Sequence, residues 1–447
     1  MQLRSAIILL AFFSSSVRAQ VMEDAKSAVT QMRLGWNVGN ALDSNSGSVT
    51  NMWIEKWSSK TPTDYEKAWG QTPATRELIH LFKEAGFNAI RIPVTWYPHY
   101  GTMNVNGLTW DMTKWTGYNI DKAWMARVKE VVDYVIAEGM YCILNVHHDT
   151  GTATTAWIKA STASHAQYQE RFKTLWTAIA KEFKDYDDHL LFEGYNEMTD
   201  KYDSWCFASF AAKGNYNATD AKDAYDAVNA YAQDFVDAVR ATGGNNAERN
   251  LIVNTYAACS GAGSWNTHLQ DPLKQMALPK DDATNHLIFQ VHSYWNSNNF
   301  STSMKSEINS MLSNLDTYLV KKHGAPVIIG EWGSDASELD YSNQTQRTNL
   351  TTFATYFIQQ AKKKNIACFY WMGLSDGQDR NKAVWTQPEL RDAIIKGYYG
   401  AGGYVDAISA PEAKPHSPAY DLMGRPLPDK PTRHQLYIKD GKINVGQ

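Results

Sequence analysis

The 447-residue chain is long enough for one large α/β barrel or for two to three average domains, and 43% hydrophobic residues can fill a packed core. A net charge of −4 gives no electrostatic case for a nucleic-acid partner. No stretch reaches the ~18 consecutive apolar residues of a membrane span. Sixteen tryptophans and 24 tyrosines stand out; most aromatic rings fill core, but their flat faces can also stack on sugar rings.

From the start of the chain, Arg4, an apolar run over 6–13 and the small-x-small triplet Val17-Arg18-Ala19 read as an export signal over 1–19. The mature protein is therefore expected to be secreted, or held at the cell surface or in the periplasm. Eight apolar strand candidates follow, at 34–38, 89–94, 141–146, 190–195, 251–255, 287–291, 327–330 and 367–371. Amphipathic stretches at 121–138, 167–183, 221–239, 305–320 and 344–363 separate several of them. Gly86, Gly139 and Gly324 fall where three helices should be capped. The fifth unit is the weakest, with little helical pattern over 270–278.

Alternating strands and helices imply a parallel sheet, and eight units imply closure into a (β/α)8 barrel. The long insertions 43–69 and 96–120, rich in Trp, Tyr, Asn and Gly, should wall a cleft on the active face. The barrel domain is expected over 20–404. Residues 405–447 read as a proline-rich linker and short tail, in which Asp440-Gly441 signals a hairpin. Cys142 and Cys368 read as core residues, and the four cysteines are too scattered for a disulfide framework. Cys206 and Cys259 follow strand ends and could pair in an oxidising compartment.

Polar residues gather where the strand candidates stop: Asn37, Asn40 and Asp43; Arg91 and His99; Asn145, His147, His148 and Asp149; Asn196 and Glu197; His292 and Tyr294; Glu331; Trp371. A barrel would bring them all to one pocket. Glu197 and Glu331 each end an apolar run, and two facing carboxylates are the machinery of glycoside hydrolysis. His147 and His148 invite a metal reading, but successive strand residues point to opposite faces, so the two are not expected to share an ion. No metal or organic cofactor is expected. No Gly-x-Ser-x-Gly elbow supports a serine hydrolase.

The stretches Gly35-Trp36-Asn37-Val38-Gly39-Asn40-Ala41-Leu42-Asp43, Ala89-Ile90-Arg91-Ile92-Pro93-Val94-Thr95-Trp96, Leu144-Asn145-Val146-His147-His148, Tyr195-Asn196-Glu197, Val291-His292-Ser293-Tyr294 and Ile329-Gly330-Glu331-Trp332-Gly333 resemble glycoside hydrolase family 5, and within it the bacterial endo-β-1,4-glucanase branch. Trp332 departs from the Phe of many members. The resemblance implies a retaining endoglucanase with Glu197 as acid/base and Glu331 as nucleophile. It implies that Arg91 and Tyr294 hold Glu331, and that Asn196 bonds the 2-hydroxyl of the sugar being cleaved. His147, His292 and an aromatic floor at Trp371 would line that subsite, with Asn40, Asp43 and His148 there or one subsite further out. The implied partner is a β-glucan polysaccharide, and a monomer is expected. Xyloglucanase, lichenase or β-mannanase activity on the same scaffold, and a non-catalytic carbohydrate-binding protein, are the alternatives.

Overall fold

The computed structural model describes residues 22–57, 59, 61–212, 215–334, 340–371, 378–400, 436–439 and 442–445. The export-signal segment, the proline-rich stretch and most of the tail lie outside these residues. The chain divides into two units, Met1–Tyr398 and Tyr399–Gln447. In the second, Leu436–Lys439 and Lys442–Val445 pair as antiparallel strands, and the expected turn residues Asp440 and Gly441 lie outside the described residues.

The first unit is a closed barrel of eight parallel strands: β1 (Leu34–Asn37), β2 (Ala89–Ile92), β3 (Tyr141–Asn145), β4 (Leu190–Glu193), β5 (Leu251–Cys259), β6 (Leu287–Trp295), β7 (Val327–Ser334) and β8 (Cys368–Tyr370). Each strand pairs with its sequence neighbours, and β1 closes on β8 through Leu34 opposite Cys368. The expected helices are present at Lys122–Ala137, Thr162–Glu182, Ala218–Arg240, Thr302–Leu315 and Gln344–Lys363. Gly86, Gly139 and Gly324 all have positive φ. The fifth crossover holds only the short helix Asp271–Lys274, as its weak pattern suggested.

Inward positions of the strands change character along the barrel axis, with the period of two that a strand imposes. At the base, Ala89, Tyr141, Ile143, Leu191, Ile252, Ile288, Ile328 and Phe369 form one apolar cluster. The helix Ala25–Met32, capped by the Asp24 side chain on the Ser27 amide, presses Ala25, Ala28, Val29 and Met32 onto that cluster and closes the bottom. One step higher, the inward residues are polar: Asn37, Arg91, Asn145, Glu193, Asn254 and Gln290, all buried. This layer is the floor of the pocket at the strands' C-terminal ends.

Strands β5 to β7 each run about four residues further than their apolar runs suggest, pairing with one another on to Cys259, Trp295 and Ser334. The register slips between β6 and β7, so that Val291 faces Ile329 but His292 faces Glu331. The extra residue is Gly330, a β-bulge that shifts the phase of the strand. A Cβ at Gly330 would lie 2.2 Å from the buried Gln290 side chain, which would have to move to admit one. No helix among the described residues is long and apolar enough to cross a membrane. All four cysteines are free thiols, including Cys206 and Cys259.

Candidate active site

The polar floor is organised by Arg91. Its Nε and Nη2 donate to Glu193 at 2.6 and 2.8 Å, Nη1 donates to Glu331 at 2.7 Å and to Asn37 at 3.0 Å, and Nη2 also reaches Asn196 Oδ1 at 2.7 Å. Burial alone would discharge Arg91, but the two carboxylates outweigh it and hold its pKa above the ordinary arginine range. Burial likewise pushes Glu193 up, yet Arg91's charge and hydrogen bonds bring it below the usual carboxylate value. Asn145 and Asn254 add amide donors to Glu193 Oε1 at 3.2 and 3.1 Å. Glu193 is thus a fixed counter-charge.

Glu331 Oε1 takes the Arg91 bond and Oε2 accepts from Tyr294 Oη at 2.7 Å. Burial raises its pKa, while His292, Arg91 and the Tyr294 bond act against that rise. Glu197 follows β4 and remains 23% exposed at the mouth. Burial pushes its pKa up to about 7, with His148 and Arg91 opposing and Glu193 reinforcing. The two glutamates meet at His292, whose Nδ1 lies 2.7 Å from Glu197 Oε1 and 3.5 Å from Glu331 Oε2. Burial keeps His292 neutral, with its pKa lowered to about 4. Glu197, His292 and Glu331 bring ligand atoms within 4.8 Å of one another.

His147 Nδ1 sits 3.0 Å from the Asn145 amide nitrogen, which assigns the ring proton to Nε2, pointing at Glu331 Oε1 4.0 Å away. Its ring stacks parallel to Trp371, centroids 5.6 Å apart and 10° between planes. Beyond it, His148 packs under Trp69 at 5.5 Å, and its Nε2 lies 3.8 Å from Asp43 Oδ2. Asp43 Oδ1 accepts the Ala41 amide at 2.8 Å, Oδ2 has no hydrogen-bond partner, and burial raises its pKa to about 6. Asn40 supplies this turn with a left-handed backbone, φ 56°. All eleven expected site residues therefore line the same end of the barrel.

Three expectations change. His99 does not reach the pocket; it is buried against Trp124 at 3.6 Å and Tyr65 at 4.3 Å. Asp149 is a structural acceptor for the amides of Trp96 and Tyr97 and the indole of Trp157. His147 and His148 do share one side, because both lie past the end of β3 where strand alternation no longer applies; with Asp43 their ligand atoms fall within 4.8 Å of one another. Two contributors escaped the strand-end argument. Glu193 carried a visible signal, a lone charge inside an apolar strand. Arg380 did not: it lies far along the chain, is buried, donates to the Gly39 carbonyl at 2.8 Å and places its charge near Asp43.

Comparison with known proteins agrees with this geometry. The family model Cellulase (glycosyl hydrolase family 5) matches residues 50–376. "Endoglucanase A" of Clostridium longisporum is 32% identical over 86% of this chain and 67% of its own length. A "GH5-4 broad specificity endoglucanase" from an uncultured bacterium is 46% identical, with a TM-score of 0.77 over 87% of this chain and 99% of that one. PbGH5A from Prevotella bryantii B14, crystallised as a point mutant with a xyloglucan tetradecasaccharide, is 40% identical with a TM-score of 0.71 over 84% and 99%. A parallel eight-stranded barrel with two carboxylates at its mouth, matched along most of its length to endoglucanases, is a glycoside hydrolase, and this chain belongs to glycosyl hydrolase family 5.

Proposed function

We propose that the protein is a secreted, retaining endo-β-1,4-glucanase in which Glu331 is the nucleophile and Glu197 the acid/base. The observation that carries this reading is the approach of the two carboxylates around His292, with oxygens within 4.8 Å. An inverting enzyme needs room for a water between its carboxyls, ~6.5–9.5 Å, whereas a retaining pair sits ~5 Å apart.

The environments support unequal roles. Glu331 is fixed by Arg91 and Tyr294, whose donors orient it and favour its ionised form for attack at the anomeric carbon. Glu197, raised to about 7 and close to solvent, can hold a proton for the leaving oxygen near neutral pH. Once Glu331 becomes an ester its charge is gone, Glu197's proton affinity falls, and Glu197 can deprotonate the incoming water. Asn196, its Oδ1 occupied by Arg91 and its Nδ2 lying 3.5 Å from His147 Nε2, has an amide hydrogen to offer the sugar's 2-hydroxyl, and Trp371 offers a flat floor. His147 and His292 border the sugar, with Asn40, Asp43 and His148 one step outward.

The test is chemical rescue. Glu331→Ala should abolish turnover with the fold intact, and near-wild-type activity in that variant would refute the assignment. Glu197→Ala with azide and an activated aryl β-cellobioside should give a β-glycosyl azide, whereas the same rescue at Glu331→Ala should give the α-azide. The polymer is a separate question. The xyloglucan bound to the Prevotella relative favours xyloglucan as the second reading. Rates on carboxymethyl-cellulose, mixed-linkage glucan, xyloglucan and glucomannan decide between them.

A further inference from the structure

Cys206 and Cys259 are half-buried, whereas Cys142 in β3 and Cys368 at the start of β8 are buried. Cys259 is the last residue of β5, and Cys206 lies on the loop that follows β4. The fold brings the two together: the Cys206 backbone amide faces the Cys259 sulfur, and the thiols lie within electrostatic reach of one another. Burial pushes the Cys259 thiol well above its ordinary range; the neighbouring Cys206 and Glu197 add to the rise, and the Cys206 amide opposes it. Burial also raises the Cys206 thiol. The glycosidase reaction uses neither sulfur.

Both residues are held by what surrounds them. Tyr256 of β5 accepts from the Asp200 amide at 3.1 Å and donates to the Ser204 carbonyl at 2.9 Å. Tyr225, on the helix Ala218–Arg240, accepts from the Ala208 amide at 3.2 Å. Cys206 sits midway between these two ties. The buried Asp200 carboxylate accepts the amides of Tyr202, Ser204 and Ser209 and braces the same loop. The backbone turns sharply on both sides, with φ of 69° at Cys206, 66° at Ser209, 47° at Ala257 and 51° at Ala258. Residues with side chains keep such left-handed angles only where the surrounding structure imposes them. The two cysteines are thus neighbours before any bond joins them, which a disulfide requires.

We propose that Cys206 and Cys259 are an oxidisable dithiol that reacts with a small disulfide such as oxidised glutathione. The Cys206 thiolate attacks one sulfur of the small disulfide and expels the other as a thiol. The Cys259 thiolate then attacks the Cys206 sulfur of the mixed disulfide, expels the second small thiol and closes the Cys206–Cys259 bond. Two protein thiols are oxidised, and one small disulfide is reduced to two thiols. The bond has a structural consequence at the pocket. Cys259 stands opposite His292 in the register of β5 and β6, and His292 Nδ1 lies 2.7 Å from Glu197. Oxidation therefore ties the loop that follows Glu197 to the strand beside its hydrogen-bond partner, and stabilises the mouth against unfolding.

The test incubates the whole chain with oxidised glutathione at mildly alkaline pH, where raised thiols ionise, and maps its peptides by mass spectrometry without reduction. The expected result is one peptide pair joined through Cys206 and Cys259, with Cys142 and Cys368 still titrating as thiols after denaturation. The oxidised chain should melt a few degrees higher than the reduced chain, and dithiothreitol should reverse the shift. Cys206→Ser and Cys259→Ser should melt like the reduced wild type and gain nothing from the oxidant, and Cys259→Ser should retain glutathione on Cys206. Wild type that yields no joined peptide, or that carries glutathione on both cysteines without closing the bond, overturns the proposal. A joined peptide with an unchanged melt overturns the stabilising role. None of these measurements depends on glucan turnover, so an inactive protein would refute the glycosidase reading and leave this one standing.

Discussion

Arg91 and Glu193 form a two-point ion pair at 2.6 and 2.8 Å with both side chains fully buried. A buried pair of this kind contributes little against an apolar alternative, but removing one partner leaves an uncompensated charge. Arg91 is balanced by Glu193 below and Glu331 above, so Glu193 sets how strongly Arg91 pulls on the nucleophile. Glu193→Gln should destabilise the protein by about 3 kcal/mol, and the acidic limb of kcat/KM should move to lower pH as Arg91 turns its whole charge on Glu331. Thermal melting and a pH–rate profile check both, and an unchanged melt would show that the pair does not hold the floor.

Tyr294→Phe removes one of the two donors on Glu331. That bond favours the ionised carboxylate, so without it the Glu331 pKa rises and the acidic limb moves to higher pH. The rate at the optimum should fall by about tenfold or more, because the lost bond also positions the attacking oxygen. A profile that drops in height without moving would assign Tyr294 to positioning alone.

Glu197, raised by burial to about 7, should define the alkaline limb: activity falls as pH rises through ~7 and the acid loses its proton. The same shift has a stability consequence. Its folded pKa lies above the unfolded value, so the contribution is present below the ordinary carboxylate range and is lost as pH rises from there through about 7. Glu197→Gln should therefore be more stable than the wild type at pH 8, by roughly 1–3 kcal/mol, with the gap closing near pH 4. Denaturant melts at the two pH values measure it, and a gap of equal size at both would show that the cost is not ionisation.

Gly39 passes close under Trp371, where a Cβ would lie 2.4 Å from the indole ring. Gly39→Ala should tilt Trp371 off its parallel stack with His147 and raise KM severalfold, with little change in the melting temperature. Tryptophan fluorescence and steady-state kinetics report the two effects, and unaltered KM would remove Trp371 from the sugar floor.

Much of this was legible in the residues. Period-two alternation, apolar runs of strand length and amphipathic spacers are local properties, and they specify eight parallel units and a barrel mouth where polar residues collect. Ten of the eleven site residues were visible because they stand at or just past the end of such a run, and Arg91 because it is a lone charge inside one. His99 and Asp149 share that position yet serve packing and loop bracing, since rotation about the strand end decides which side chain enters the pocket. The shared side of His147 and His148 is the converse case, two neighbours freed from strand alternation.

What the sequence by itself determined was the barrel, its family resemblance and the pair Glu197 and Glu331. Only the tertiary structure decided how that pair faces. Counted from Ile328, strict alternation would turn Glu331 away from the pocket, and it is the bulge at Gly330, beside the Gln290 side chain of the neighbouring strand, that sets it opposite His292. Register slips of this kind depend on the partner strand, not on the strand that carries them, and so no reading of one segment contains them. The same holds for Glu193, Arg91 and Glu331, three charges from three strands whose balance exists only once the barrel closes.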